Sequence, residues 1–188
     1  MRDRYRTGIV VVAPSPHWAE QYRAVAKDLA AALAHIPVEA IEHVGSTSVP
    51  GLPAKPILDI DIIVQRDNLR PAVQALEQAG YLPCGDLGAT DCEAFEAPDE
   101  TPPRNVYLCV ANTLHVRNHL AVRDTLRARP DLRDRYGAVK LQLAREPDLT
   151  MHRYLAGKST IMQEILALSH LTADEKRTIL ELNTRTAG

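Results

Sequence analysis

The sequence is poor in aromatic residues: one Trp, one Phe and six Tyr make up 4% of 188 positions. An interior of stacked rings is excluded, so Leu, Ile, Val and Ala must fill the core, within an ordinary 45% hydrophobic composition. Net charge is nearly absent, at −2, which argues against general affinity for nucleic acid or an anionic membrane surface. Long apolar runs are missing as well. The run from Ile9 to Ala13, preceded by Arg2, Arg4 and Arg6, stops at Pro14, short of the roughly 7–15 apolar residues of a signal-peptide core. No stretch reaches the ~18 residues of a membrane span. Cysteine is scarce, with Cys84, Cys92 and Cys109 only and no CxxC spacing. An odd, unspaced set reads as reduced packing thiols in a cytoplasmic protein. There is no internal repeat and no low-complexity linker. The length suits a single domain over 1–188, with a core at about 9–168 and a tail, 184–188, expected to be disordered.

What is present alternates between two periodicities. Ile9 to Val12 is β-branched and reads as an edge strand or packing arm. Ser15 and Pro16 form a capping pair, and Trp18, Tyr22, Val25, Leu29 and Leu33 recur at helical spacing, which predicts a helix over 16–34. Strands are expected over 38–44 and 56–64, then a helix over 68–79 stopped by Gly80. Strands over 93–97 and 105–111 flank a turn at Pro102 and Pro103. The last third is helical: 114–129, a helix after Pro130 with Asp131 as cap, one over 148–170, and one opened by Thr172 and Glu175 in capping-box spacing. This order predicts an α+β, or mixed α/β, domain with a helical C-terminal portion.

The chemistry concentrates between His43 and Asp61. A strand ends in Gly45-Ser46, where glycine lets the backbone approach a ligand closely and successive N–H groups form an anion nest. Ser46, Thr47 and Ser48 add hydroxyls. Asp59 and Asp61, two apart on an apolar strand, face the same way. Two like charges on one partly buried face repel, and a divalent cation such as Mg²⁺ (or Mn²⁺) removes the conflict while bridging phosphates. Lys55 lies between the two elements and is placed to reach a phosphate. The run is not a P-loop, because Lys55 precedes Pro56 rather than Ser or Thr at a helix start. His43 reads as a residue supporting the glycine turn. His115 and His119 share a helix face. Arg123 and His119, with Arg117 and Asn118, offer cations and donors to a triphosphate, and Lys158 falls on an otherwise apolar helix.

The run His43-Val44-Gly45-Ser46-Thr47-Ser48-Val49-Pro50-Gly51-Leu52, followed by Lys55-Pro56-Ile57 and Asp59-Ile60-Asp61, resembles the signature of the GrpB family. The likeness continues in Pro103-Arg104, Arg117-Asn118-His119-Leu120, Arg123-Asp124 and the Tyr154 to Lys158 segment, covering about 9–168. The resemblance implies a nucleotidyltransferase-like mixed sheet flanked by helices. It implies Asp59, Asp61 and Lys55 as catalytic residues, and Asp59 and Asp61 as ligands of Mg²⁺. His43, Gly45, Ser46, Thr47, Ser48, Arg104, His119, Arg123 and Lys158 become candidate nucleotide-binding residues. Nucleotidyltransferases add a third carboxylate on a neighbouring strand. The strand over 105–110 has none, carrying Asn105, Tyr107 and Cys109 where many relatives are His-rich, so Glu96 on the preceding strand is the candidate third metal ligand.

The expected activity is transfer of a nucleotidyl group from a nucleoside triphosphate, with Mg²⁺, to an unidentified acceptor. Two alternatives stay open. One is a non-catalytic module for a nucleotide or other phosphorylated small molecule. The other is a partner-docking domain, since some relatives look fused to a coenzyme A biosynthesis kinase. A membrane partner is not expected, nor is nucleic acid.

Overall fold

The strand that carries the two aspartates is the hub of the sheet. β2 (Leu58–Val64) puts Leu58, Ile60, Ile62 and Val64 on one face, each at most 1% exposed. The alternation that buries them sends Asp59, Asp61 and Ile63 to the other face. β1 (Val38–Val44) pairs antiparallel with β2, with Glu42 opposite Asp61 and Val44 opposite Asp59. β5 (Arg104–Val110) pairs parallel on its other side, with Asn105 opposite Asp59 and Tyr107 opposite Asp61. β4 (Cys92–Glu96) and the short β3 (Leu82–Pro83) continue antiparallel, giving the order β1-β2-β5-β4-β3. This computed structural model describes residues 9–185, with side chains to residue 181.

One face of the sheet is covered by α1 (His17–Ala32) and α2 (Leu69–Gln78), whose Trp18, Val25, Leu29, Ala72 and Leu76 pack on Ile60, Ile62, Val106 and Leu108. Burying each such aliphatic side chain contributes about 1.5–3 kcal/mol, so this layer anchors the domain. The aspartate face receives α3 (Leu114–Ala128), with Val116 and Leu120 against Ile63 and Cys109. Around α3 gather α4 (Pro130–Leu143), α5 (Met151–Gly157), α6 (Ser159–Ala167) and α7 (Ala173–Arg185). The architecture is the mixed α/β sheet flanked by helices, with the helical C-terminal portion that the element order predicted.

Several local expectations are corrected. Of the two readings of the segment from Ile9, the packing arm is the one seen, joined to the loop by one bridge, Val12 to Ala54. The helix expected over 148–170 is two helices, broken at Lys158. A Cβ on Gly157 would collide with Leu143, so α5 packs tightly on α4 at the break. Asp131 pairs with the Arg129 guanidinium instead of capping α4. The capping box of α7 does form, with Glu175 N–H donating to Thr172 Oγ1 and Thr172 N–H donating to Glu175. The backbone of α7 runs through Thr184 and Arg185, placed in the expected tail; 186–188 lie outside the described residues, as do Arg2, Arg4 and Arg6. Cys92 and Cys109 face each other across β4 and β5 and are joined in a disulfide, not reduced as expected. Their spacing in sequence carried no such signal, because strand pairing brings them together.

Among the described residues, no helix is long and apolar enough to cross a membrane.

Candidate functional site

The turn after β1 is held from behind. Gly45 adopts φ +67° and ψ −171°, a combination essentially restricted to glycine, and opens a 3₁₀ turn over Ser46–Ser48. Ser48 Oγ donates to the Gly45 carbonyl at 2.6 Å. Thr47 Oγ1 donates to the Ile57 carbonyl, tying the turn to the approach of β2, and lies 3.0 Å from His43 Nε2. With its own proton committed to Ile57, Thr47 accepts from a neutral His43. Burial, then the nearby Arg127 and Arg123 charges, push the His43 pKa down to about 4. Tyr22 stacks on the imidazole at 4.6 Å. Arg127 donates to the Ser48 carbonyl, and Arg123 to Glu42 and the His43 carbonyl. Of the residues expected as phosphate contacts, His43, Thr47 and Ser48 thus spend side-chain hydrogen bonds on the turn, and Arg123 spends its own on the end of β1 and on Asp124.

A pH dependence follows. The folded pKa of His43 lies below the ordinary 6.5 of the unfolded chain. Its contribution to stability is therefore present above pH 6.5 and lost as pH falls toward 4. The His43 ring protons should show no titration in NMR spectra between pH 5.5 and 8, and His43→Gln should flatten the acid limb of the stability profile. A mid-range His43 titration would contradict this arrangement.

In front of the turn lies a cavity of about 280 Å³, lined among others by Gly45, Ser46, Lys55, Asp59, Asn105, Asn118, His119, Tyr136, Tyr154 and Lys158, and by Ile179 of α7. Two lysines, Lys55 and Lys158, line it, and a third, Lys140, reaches Ser46 of the turn. Lys140, only 1% exposed, donates to Ser46 Oγ at 2.9 Å and rests over the Tyr136 ring at 4.4 Å. Lys158, at the α5–α6 break, sits over the Tyr154 ring at 4.3 Å, with Lys55 at 5.9 Å from the same ring. Burial, followed by the charges of Lys158 and Lys55, lowers the Lys140 pKa to about 6. Burial and Lys55 lower Lys158 to about 8, and burial lowers Lys55 too. Asp59 opposes each of these shifts. Lysines that weaken one another's charge this way are poised for an anion that would neutralise them.

The two aspartates share a face but not an environment. Asp59 borders the cavity and accepts from Asn105 Nδ2 at 2.8 Å; burial raises its pKa against the pull of Asn105, His119 and Lys55. Asp61 is fully buried, with His119 Nδ1 at 3.0 Å and His115 Nε2 at 3.8 Å. Burial works against its charge, but His119 and His115 outweigh it and hold the pKa below the usual carboxylate value. Asp61 in turn raises His119 despite its burial.

Glu96 and Arg104 are not brought to this centre. The strand pairing that sets Phe95 opposite Val106 leaves Glu96 on the aspartate face, but with all of β5 between it and β2. Among the described residues, the trios of potential ligands within 4.8 Å are Asp61–His115–His119 and Cys92–Cys109–His115, and Glu96 joins neither. Arg104 lies opposite Leu58, hence on the other face, where its guanidinium binds Asp99 and Tyr81. Lys140, Tyr136 and Tyr154 were not singled out from sequence. A signal existed for Lys140: it follows Leu132 and Tyr136 at steps of four, on the buried stripe of α4.

Comparison with known proteins adds a family and a fold. Residues 8–168 match the family model described as GrpB protein. A UPF0157 protein of Halalkalibacterium halodurans is 33% identical over 89% of this chain and 86% of its own length. For further relatives named as UPF0157 proteins, the match covers 35% to 66% of their own length. The crystal structure of the conserved protein GrpB from Enterococcus faecalis superposes with a TM-score of 0.72 at 32% identity, over 84% of this chain and 98% of that one. The Cid1 poly(U) polymerase, as its H336N mutant bound to MgATP, aligns with a TM-score of 0.51 at 15% identity, over 87% of this chain and 54% of that one. That likeness is one of fold: a nucleotidyltransferase-like sheet.

Proposed function

The chain belongs to the GrpB family, and from that premise we propose that its lysine-lined cavity binds the phosphates of a nucleoside triphosphate or another phosphorylated small molecule. The observation that carries this reading is the convergence of Lys55, Lys140 and Lys158 on the Gly45-Ser46 turn. Each buried ammonium costs desolvation energy, and a polyanion in the cavity offsets that cost for all three at once. The Gly45-Ser46 backbone would supply donors to the phosphate oxygens, and the Tyr136 and Tyr154 rings would wall the ligand.

Nucleotidyl transfer is the second reading, favoured by the likeness of fold. An acceptor hydroxyl would attack the α-phosphorus, lose its proton to a base and release pyrophosphate. Asp59 is the acid that faces the cavity, and the lysines would stabilise the charge that develops on the leaving group. This chemistry ordinarily uses Mg²⁺ on paired carboxylates. The residues present do not fit such a site: Asp61 is held by the His119 imidazole with His115 beside it, Asp59 is held by Asn105, and Glu96 stands a strand away.

The test is thermal stability of the full chain with each of the four ribonucleoside triphosphates. At a hundredfold excess over Kd the expected stabilisation is about 2.7 kcal/mol. Lys55→Met and Lys158→Met should each weaken binding at least tenfold, as about 1.4 kcal/mol per lost charge contact implies. Because Lys140 and Lys158 are held near 6 and 8, binding a polyanion draws protons onto them. Calorimetry at pH 7.5 in two buffers should show proton uptake, and affinity should fall as pH rises from 6 to 9. The absence of any shift with triphosphates or pyrophosphate would remove the reading. Pyrophosphate release, lost in Asp59→Asn, would establish transfer.

A further inference from the structure

Beside the phosphate cavity, on the aspartate face of the sheet, three side chains of a different chemistry meet. His115 and His119 are four residues apart on α3, so they project from one face of the helix. That face lies over β2, where Asp61 points up between them. The His119 Nδ1 to Asp61 Oδ2 distance is 3.0 Å and the His115 Nε2 to Asp61 Oδ1 distance is 3.8 Å. The two imidazoles are 4.1 Å apart between centroids, and the Tyr107 ring walls both, at 5.2 and 6.0 Å.

The arrangement is unfinished as a set of hydrogen bonds. At 3.8 Å, His115 Nε2 is beyond hydrogen-bond reach of Asp61, and it is buried with no partner. The neighbouring Asn118 Oδ1 is buried without a partner as well. Buried polar atoms are nearly always satisfied, and an ion is one of the few things that leaves such an atom aimed at a carboxylate. The spacing matches a coordination polyhedron: with bonds of about 2.0–2.1 Å, neighbouring donors of a tetrahedral ion lie about 3.4 Å apart. The distances of 3.0 and 3.8 Å bracket that value, and all three donor atoms lie within 4.8 Å of one another.

We propose that Asp61, His115 and His119 form a binding site for a divalent first-row transition ion such as Zn²⁺ or Mn²⁺. Two nitrogens and one carboxylate select against Mg²⁺, which takes oxygen ligands and keeps its waters, and suit Zn²⁺ and its neighbours. Three protein ligands leave coordination positions open, as in sites where the ion also takes water or substrate. The other trio sharing His115 needs thiolates from Cys92 and Cys109, which the disulfide withdraws. The site does not depend on the nucleotide reading, because its ligands are all protein groups.

Calorimetric titration of the chelator-treated full chain with Zn²⁺, Mn²⁺ and Mg²⁺, in the absence of nucleotide, tests the site. One Zn²⁺ per chain is expected, with Kd weakened at least tenfold in His115→Gln and in His119→Gln, and no displacement by millimolar Mg²⁺. Bound Mn²⁺ should show nitrogen couplings in pulsed electron paramagnetic resonance, diminished in either variant. Circular dichroism of the ion-free variants separates lost ligation from lost folding. If His119→Gln fails to fold, His115→Gln carries the test alone, because its Nε2 makes no hydrogen bond that folding requires. Unchanged affinity in His115→Gln, loss of binding only in Cys92→Ser, equal affinity for Mg²⁺, or no bound ion would each overturn the site. None of these outcomes alters the triphosphate shift, so the two proposals fail separately.

Discussion

Gly45→Ala should destabilise the chain by at least about 3 kcal/mol and abolish ligand binding. Two independent costs add. The backbone of Gly45, at φ +67° and ψ −171°, lies in a region open essentially to glycine, and holding another residue there costs about 1–3 kcal/mol. A Cβ at this position would also overlap Asp59 Oδ2 and come within 2.9 Å of the Asp59 Cβ and Cγ. Asp59 has no easy retreat, because Asn105 holds it from the neighbouring strand. The variant must either swing the turn, breaking the Ser48 and Thr47 hydrogen bonds, or displace the aspartate. Denaturant unfolding checks the energy, and a change below about 0.5 kcal/mol would show that the turn is looser than described.

Lys140→Met should have the opposite effect on stability and the same effect on binding. The amine is held 1% exposed with its pKa lowered to about 6, against the ordinary 10.5 of the unfolded chain. Between these values the unfolded chain binds the extra proton, so the stability of the wild type rises with pH across that window and is lowest below pH 6. Methionine fills a similar volume without charge. Replacing buried ionic groups by apolar ones commonly stabilises by about 1–4 kcal/mol. At pH 7 we expect about 2 kcal/mol, or roughly 4–8 °C in a chain of this length. Triphosphate affinity should fall at least tenfold, and the slope of stability against pH should flatten. A fall in melting temperature would mean that Lys140 serves the fold through Ser46 rather than the ligand.

The opposition between these two variants explains what could be read from the sequence. Local patterns are legible because they are local. The strands expected at 38–44, 56–64 and 105–111, found at 38–44, 58–64 and 104–110, the stop at Gly80 and the capping box of Thr172 follow from periodicity and backbone chemistry within a few residues. The glycine turn and the aspartate pair were legible for the same reason. What escaped was long-range. Lys140 reaches Ser46 across 94 positions, and His119 reaches Asp61 across 58. The Cys92–Cys109 pairing depends on strand register. Arg104 looked like a phosphate contact until alternation along β5 sent it to the opposite face. His43, Thr47 and Ser48 lie at the right place in the chain, yet their side chains turn inward to support the loop.

The last helix closes one side of the cavity through Ile179, which also packs on Ala121 and Leu166. The match to the family model stops at 168, before this helix begins. The residues that would grip phosphate and the residue that fences the pocket thus sit under different constraints. Gly45, Lys55, Asp59 and Lys158 fall within the matched stretch, and Ile179 lies beyond it. If the cavity takes a ligand, a substitution at Ile179 would change the room at its mouth without touching a charged group.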